Sequence, residues 1–221
     1  MNEIDRPAAF PPELDAALSP MLLSGALPEG AAVVYYPVVG STNDLAASLV
    51  ERGYPDSTIV IADAQTAGRG RGGHTWYSPP GAGLYTSIVV DARLGEVQAD
   101  WPRWLTLGTG VAISEGLHAA SGLPVAIKWP NDLVIAPSGT VRGARKLGGI
   151  LAEGRSDVGQ LSHVIVGFGI NVLRTAFPPE ISARATSLED ELGRDVDRGR
   201  VLAASLGRFL TWLRRLRAGQ T

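Results

Sequence analysis

The chain contains no cysteine among its 221 residues, which excludes disulfide bonds, thiolate zinc sites and a cysteine nucleophile. It also has no uninterrupted apolar run of about 18 residues, the length that a membrane-spanning helix needs. The N-terminus is acidic and proline-containing, where a secretory signal would be basic and then apolar. We therefore expect a soluble, cytoplasmic protein that makes no membrane contact.

An excess of charge of one sign is missing as well. The 20 basic and 22 acidic residues leave a net charge of −2, so no field over the whole surface would attract nucleic acid. The sequence also lacks the ATPase phosphate loop G-x-x-x-x-G-K-[ST] and a G-x-G-x-x-G that opens a helix. With 45% hydrophobic residues, the chain can bury the core of one globular domain.

The first thirty residues differ from the rest in composition. They contain five prolines and no sustained hydrophobic period, which indicates a loosely ordered lead-in over residues 1–30 with at most one helical turn near 13–18. A DNA-reading helix-turn-helix needs a longer segment. We expect the remaining residues, 31–221, to form a single catalytic or binding domain.

Apolar segments with turn residues between them predict a sheet with helices. Strands are predicted at 33–38, 57–62, 84–90, 124–130, 133–136, 146–153 and 162–172, with a hairpin turn at Asn131-Asp132 and antiparallel pairing of the last two strands. A long helix is predicted over 101–120, and a C-terminal helix capped by Asp197 follows. The pattern predicts an α+β fold, a mixed, mostly antiparallel central sheet with helices on one face. In the 101–120 helix, the spacing predicts that Trp104, Leu107 and Val111 face the sheet.

A glycine- and arginine-rich loop joins two of the predicted strands. Its glycines, at 68, 70, 72 and 73, let backbone N–H groups approach a ligand, and Arg69 and Arg71 supply planar cations suited to phosphate or carboxylate. Trp76 follows directly and could place a flat ring beside an anion. A solvated flexible loop and an arginine-glycine RNA tether are the alternatives that the loop alone leaves open.

Two further segments place polar groups at strand ends. Lys128, Asn131 and Asp132 surround the predicted hairpin turn, and Lys146 precedes Gly148-Gly149 at the start of the next strand. A lysine beside glycines could reach a substrate that the missing side chains leave room for. The alternative is that both lysines decorate a sheet edge.

Taken together in this order, the motifs GSTN, GRGRGGHTWYSPPGAGLYTS, KWPNDL, KLGGILAE and GFGINV resemble those of the biotin protein ligases, from Val33 to the end of the chain. The resemblance implies a fold like that of the class II aminoacyl-tRNA synthetases. It also implies a two-step reaction in which biotin and ATP give biotinyl-5′-AMP, with Mg²⁺, and a lysine of a biotin carboxyl carrier domain then takes the biotinyl group.

The resemblance also implies site residues by matching positions. Those implied for biotin are Ser41, Thr42, Asn43, Gln65, Arg69, Gly70, Arg71, Lys146 and Gly149, and those for ATP and the adenylate are Arg71, Trp76, Lys128, Asn131, Lys146 and Asn171. The implied catalytic residues are Lys146, Arg69, Arg71 and Asp132, of which Asp132 would orient or deprotonate the acceptor amine. The sequence identifies no metal ligands.

The chain departs from the family pattern in two places. Some members carry an N-terminal winged helix that residues 1–30 cannot hold, so we expect no DNA binding. Most members end in an SH3-like β-barrel, which we expect to be absent here because the sequence stops at the terminal helix. His74 also stands where relatives often have arginine. The expected state is a monomer or weak homodimer, and the alternative functions are a catalytically impaired biotin-binding or sensing module and an RNA binder.

Overall fold

The computed structural model describes residues 7–28, 30–94, 101–136, 143–175 and 177–220. Residues 137–142, in the polar segment before Lys146, lie outside the described ranges. Within those ranges the helices are α1 (Pro12–Leu23), α2 (Thr42–Glu51), α3 (Leu105–Ser121), α4 (Pro179–Ser182), α5 (Leu188–Leu192) and α6 (Arg198–Arg217). The strands are β1 (Val33–Val39), β2 (Ile59–Gln65), β3 (Gly83–Asp91), β4 (Ala126–Lys128), β5 (Asp132–Ile135), β6 (Arg145–Asp157) and β7 (Gln160–Asn171).

All of these strands join one sheet. Its order is β1-β2-β3-β7-β6-β5-β4, in which β1 and β2 run parallel and the other described neighbours pair antiparallel. The parallel pair needs a crossover connection, and α2 supplies it. The predicted α+β class with a mixed, mostly antiparallel sheet is therefore confirmed. The antiparallel pairing of β6 with β7 is confirmed as well. A hairpin between β4 and β5 is also confirmed, but its turn is at residues 129–131 rather than at Asn131-Asp132, because Asp132 already pairs with Lys128.

Alternate residues of the strands belong to two separate apolar clusters, one on each face of the sheet. The larger cluster includes Ile61, Ile88 and Phe168 and packs against α1, α3 and α6. The smaller one takes the intervening residues, such as Val60 and Val89, and packs against α2. Because successive strand residues point to opposite faces, α2 must lie on the face opposite the other long helices. The expectation that the helices share one face is thus wrong for α2.

The orientation of α3 also differs from the expectation. Trp104 and Leu107 are each 41% exposed, whereas Leu105, Ile113 and Leu117 are buried in the core. The helix is apolar on several sides, so its hydrophobic period does not determine which side packs inward. Close packing against α6 decides it: a Cβ on Gly116 would lie only 2.7 Å from Cα of Ser205.

The N-terminal segment contains more structure than its composition predicts. Instead of one turn near 13–18, α1 runs for 12 residues and buries Leu14 and Leu18. Arg198, only 10% exposed at its side chain, fixes α1 to the body of the protein through 2.6 Å ion pairs to Glu13 and to Asp63 of β2. The two leucines and this buried arginine stabilise a helix that has no side-chain cap of its own.

None of the helices in the described part of the chain combines the length and apolar character that crossing a membrane requires.

Candidate active site

A cavity of about 550 Å³ lies on the face of the sheet that α2 covers only in part. It brings together most of the residues expected from the sequence: Ser41, Thr42, Asn43, Gln65, Arg69, Gly70, Arg71, Trp76, Asn131, Asp132, Lys146 and Gly149. These residues come from the start of α2, the end of β2 and the glycine- and arginine-rich loop that follows it, the β4–β5 turn with the first residue of β5, and the start of β6. The fold therefore places the candidate residues around one space.

The glycine- and arginine-rich loop is a closed structure of its own. The backbone N–H of Trp76 donates to the Gly68 carbonyl at 2.8 Å, and the backbone N–H of Gly70 donates to the His74 carbonyl at 2.6 Å. A single 3₁₀ turn at the tip contains Gly72 and Gly73, with φ of 68° and 79°. Only glycine adopts such positive φ values without steric cost. The loop is thus held by backbone hydrogen bonds over the mouth of the cavity, rather than being an open tether.

Arg69 is paired with two carboxylates. Its Nη2 lies 2.7 Å from Asp44 Oδ1 and 2.8 Å from Glu153 Oε2. These pairs fix the guanidinium at the mouth of the cavity while its remaining N–H groups stay available to an anion. Arg71 is exposed at the tip of the loop and lines the same cavity.

Lys146 reaches the cavity because of an irregularity in β6. Leu133 of β5 pairs with Gly148 and Val134 pairs with Lys146, so Leu147 is an extra residue on β6. Regular alternation from the buried Ile150 would turn Lys146 toward the core, and the bulge instead places Leu147 there, fully buried. The Lys146 ammonium lies 2.6 Å from Asp132 Oδ1 and 5.4 Å from the centre of the Trp76 ring.

A chain of hydrogen bonds runs below the start of α2. Asn43 Oδ1 can only accept, so the Ser87 hydroxyl at 2.6 Å donates to it. The Thr42 hydroxyl lies 2.8 Å from Ser87 Oγ and 3.2 Å from Gln65 Oε1, and its proton has one of these two acceptors. In either case the Thr42 hydroxyl donates its proton to a protein acceptor, so lone pairs of its oxygen can accept a hydrogen bond from a ligand.

Both the oxygen and the nitrogen of the Asn43 side-chain amide form hydrogen bonds with protein groups. In addition to accepting from Ser87, it donates from Nδ2 to Glu153 Oε2 at 2.7 Å. Ser41, in contrast, makes no side-chain capping hydrogen bond although it occupies the N-cap of α2. Its side chain lines the cavity instead.

Two of the expected residues line a neighbouring cavity of about 400 Å³ instead. Lys128 and Asn171 face this second space, which shares Trp76, Asp132 and Lys146 with the first. The Asn171 side chain is buried and donates to the Thr186 carbonyl at 2.9 Å. The two cavities are thus adjacent, with Trp76 and Lys146 between them.

The sequence reasoning missed several residues of the site. Ser87 and Glu153 are polar residues at strand positions that the hydrophobic pattern assigned only to the sheet, and both bond to Asn43. Tyr85 was missed as well: its hydroxyl donates to Pro79 O at 3.2 Å, and burial raises its pKa, so the phenol stays a donor to the loop. The available signal was strand alternation, because residues 85 and 87 share one face.

The described ranges contain no cluster of acidic or histidine side chains that could bind a metal ion. Among those residues, no three histidine, aspartate or glutamate side chains are close enough to hold a metal ion.

Comparison with protein families places this site in context. The sequence model of the biotin/lipoate A/B protein ligase family matches residues 35–171, a span that includes every expected site residue. The bifunctional ligase/repressor of Bacillus spizizenii is 37% identical over 175 residues, covering 78% of this chain and 51% of that protein. The biotin–[acetyl-CoA-carboxylase] ligase of Mycobacterium tuberculosis is 36% identical over 181 residues, covering 78% and 62%. The chain thus spans about half the length of the Bacillus relative.

Solved structures show the same architecture. The biotin protein ligase of Aquifex aeolicus in complex with biotin and ATP aligns with a TM-score of 0.68 and 33% identity over 84% of this chain and 72% of that one. The ligase of Leishmania major in complex with biotinyl-5-AMP aligns with a TM-score of 0.64 and 25% identity over 83% and 74%.

Proposed function

The chain belongs to the biotin/lipoate A/B protein ligase family, and we propose that it activates biotin with ATP to biotinyl-5′-AMP and then transfers the biotinyl group to a lysine of a biotin carboxyl carrier domain. The mycobacterial relative is named as a ligase of acetyl-CoA carboxylase, which supports a carrier domain as the acceptor. That this chain does not bind DNA and is a monomer or weak homodimer stays a prediction.

One observation carries this proposal: groups suited to biotin and groups suited to an adenylate line one continuous space. The first cavity contains the Thr42–Gln65 end, with neutral polar groups, and the Lys146–Trp76 end, with a cation beside an aromatic ring. Arg69 and Arg71, on the loop, line the same cavity. A molecule with a polar head, an acyl phosphate and a purine matches that sequence of groups.

The head of biotin fits the start of α2. Because the Thr42 proton is used within the protein, the Thr42 oxygen would accept from a ureido N–H of biotin. Gln65 Oε1 already accepts from the Thr42 backbone N–H at 2.9 Å and its Nε2 donates to Ser78 at 2.9 Å, so the amide is held in one orientation. Asn43, saturated by Ser87 and Glu153, would position Thr42 and the helix start.

The first reaction step brings two anions together, which the cations of the cavity would make possible. A carboxylate oxygen of biotin attacks the α-phosphorus of ATP, a new P–O bond forms and pyrophosphate leaves with the electrons of the broken bond. Arg69 and Arg71 would bind the carboxylate and the phosphate, and Lys146 would contact the oxygen that they share. Arg69 would do so with the N–H groups that Asp44 and Glu153 do not use.

The second step transfers the acyl group. The neutral amine of the acceptor lysine attacks the acyl carbon, the C–N bond forms and AMP leaves. Asp132, 2.6 Å from Lys146, would orient that amine and take its proton. Lys146 would stabilise the phosphate charge that AMP carries away.

Mg²⁺ would enter this site as the complex with ATP, as part of the substrate. In the described residues the protein donor set is too sparse for a cage, so phosphate oxygens and water would hold the ion.

The test is release of pyrophosphate when the 221-residue chain is mixed with biotin and Mg·ATP, followed by transfer of labelled biotin to a carboxyl carrier domain. We expect both. Omission of biotin is the control, because pyrophosphate released without it reports another reaction. Binding of biotin without pyrophosphate release would contradict the proposal and favour a sensing module.

A further inference from the structure

Two rows of residues that cross the sheet run under the first cavity, and their members on β6 and β7 line it. In one row, Ser87 of β3 pairs with Gly167 of β7, which pairs with Leu151 of β6. In the next row, Tyr85 pairs with Gly169, which pairs with Gly149. Gly167 and Gly169 are two positions apart on one strand, so both present the same face to the cavity.

Gly167 lies directly under Asn43. A Cβ on this glycine would overlap Asn43 Oδ1 and lie 3.1 Å from Asn43 Cγ. The amide that bonds to Ser87 and Glu153 can therefore occupy its position only because residue 167 has no side chain. Any substituent there would shift Asn43 and, through Ser87, the hydroxyl of Thr42.

Gly169 lies directly under the Trp76 indole. A Cβ on it would overlap Nε1 and lie 2.6 Å from Cε2, whereas a Cβ on the adjacent Gly149 would make an ordinary 3.5 Å contact with Cζ3. The indole N–H is buried and has no hydrogen-bond partner among the described residues. No hydrogen bond fixes the ring, so the shape of the floor sets its position.

We propose that Gly167 and Gly169 are positioning residues that serve different substrates, Gly167 the biotin end through Asn43 and Gly169 the nucleotide end through Trp76. The inference rests on the proposed function. Both glycines belong to the motif GFGINV and both keep this face of β7 free of side chains. The inference gives each of them a separate role, because each lies under a different residue of the site.

The test is the Michaelis constant for each substrate in Gly167→Ala and Gly169→Ala, measured by pyrophosphate release from the full chain. Loss of one hydrogen bond to a ligand costs about tenfold in affinity, so we expect the KM for biotin to rise about tenfold in Gly167→Ala. The KM for ATP should stay within about twofold in that variant, because the Cβ of residue 167 would meet Asn43 and not Trp76. Gly169→Ala should show the reverse pattern.

A matched control is Gly154→Ala, on β6 of the same sheet. Its Cβ would meet only the flexible end of Leu161, at 2.9 Å, and the residue is outside the first cavity. Both KM values should remain at the wild-type level in this variant. A change of either constant comparable to those in the test variants would mean that any added methyl on the sheet disturbs the site, and would overturn the inference.

Double variants separate a positioning role from general damage to the strand. If Gly167→Ala acts through Asn43, it should leave the KM for biotin unchanged in an Asn43→Ala background, because the overlapping amide is gone. The same holds for Gly169→Ala in a Trp76→Ala background, for ATP. Should a single glycine variant fail to fold, its double variant should fold. A double variant that remains unfolded, or that retains the full effect of the glycine change, contradicts the inference.

The two proposals can fail separately. A wild-type chain that releases no pyrophosphate with biotin and ATP refutes the proposed function and this inference together. An active wild type, in which both glycine variants raise both Michaelis constants to the same extent, refutes only the assignment of the glycines.

Discussion

Replacement of Lys146 by methionine tests the charge chemistry of the site most directly. The ammonium lies 2.6 Å from Asp132 and over the Trp76 ring, between the two cavities. The ion pair is partly solvated, with side-chain exposures of 37% for Lys146 and 26% for Asp132. Such pairs contribute about 1 kcal/mol or less to stability, so we expect the melting temperature to change little.

The effect on the reaction should be much larger. Removal of one fixed donor to a developing charge typically costs about 100- to 1000-fold in kcat, or about 3–4 kcal/mol in the barrier. Methionine keeps the length of the side chain but provides no charge, so substrate space is preserved. We therefore expect loss of biotin-dependent ATP–pyrophosphate exchange, measured beside a circular dichroism melt that reports an intact fold.

The control for this prediction is Arg155→Met, which removes an exposed cation from the outer end of the same strand, outside the first cavity. It should exchange pyrophosphate at the wild-type rate. Exchange at the wild-type rate in Lys146→Met would refute the argument, because the cavity would then stabilise the first step without its ammonium. Unfolding of Lys146→Met at room temperature would show that the ion pair has a structural role.

Other variants test the glycine- and arginine-rich loop and the ion pairs that hold α1 in place. Arg71→Gly should release activated biotin and label lysines of added albumin, the reporter of choice because this chain has only two lysines; labelling no higher than with wild type contradicts a retaining role. Arg198→Met should lower the free energy of unfolding by about 1–2 kcal/mol in urea titrations, because the two carboxylates that lose their partner are 39% and 23% exposed and keep part of their solvation; no measurable loss would contradict that. The hydrogen bond from Arg198 lowers the pKa of Glu13, so its contribution is complete above the ordinary value of 4.5 and disappears as pH falls through the lowered folded value; Glu13→Gln should flatten the stability curve in that acidic range.

The sequence was sufficient for the elements with strong local signals. The C-terminal helix has both a regular apolar period and a capping aspartate, and Asp197 accepts from Arg200 N–H at 3.0 Å as expected. The hairpin between β4 and β5 has turn residues between two short apolar runs, and it forms within two residues of the predicted turn. In both cases local preference and tertiary packing favour the same structure.

Where tertiary contacts decide, the local pattern was insufficient. The helix α1 has low intrinsic support, and Leu14, Leu18 and a partly buried ion pair from the distant Arg198 stabilise it. The bulge that turns Lys146 toward the cavity depends on the pairing register of β5 with β6, which no single strand specifies. The glycine pair after Lys146 was a signal for such a bulge, but it did not show in which direction the lysine would turn.

The location of the cavity follows from how side-chain volume changes along β7. On the face toward the core, Val166 and Phe168 keep the strand fully packed. On the opposite face, Ile165 packs under α2, and the next two positions are Gly167 and Gly169. At these two positions β7 offers no apolar side chain for a helix to cover, so this part of the sheet can stay open with little hydrophobic surface exposed to water. The same glycines that keep a helix away therefore leave the space that the side chains of α2 and of the loop line from above.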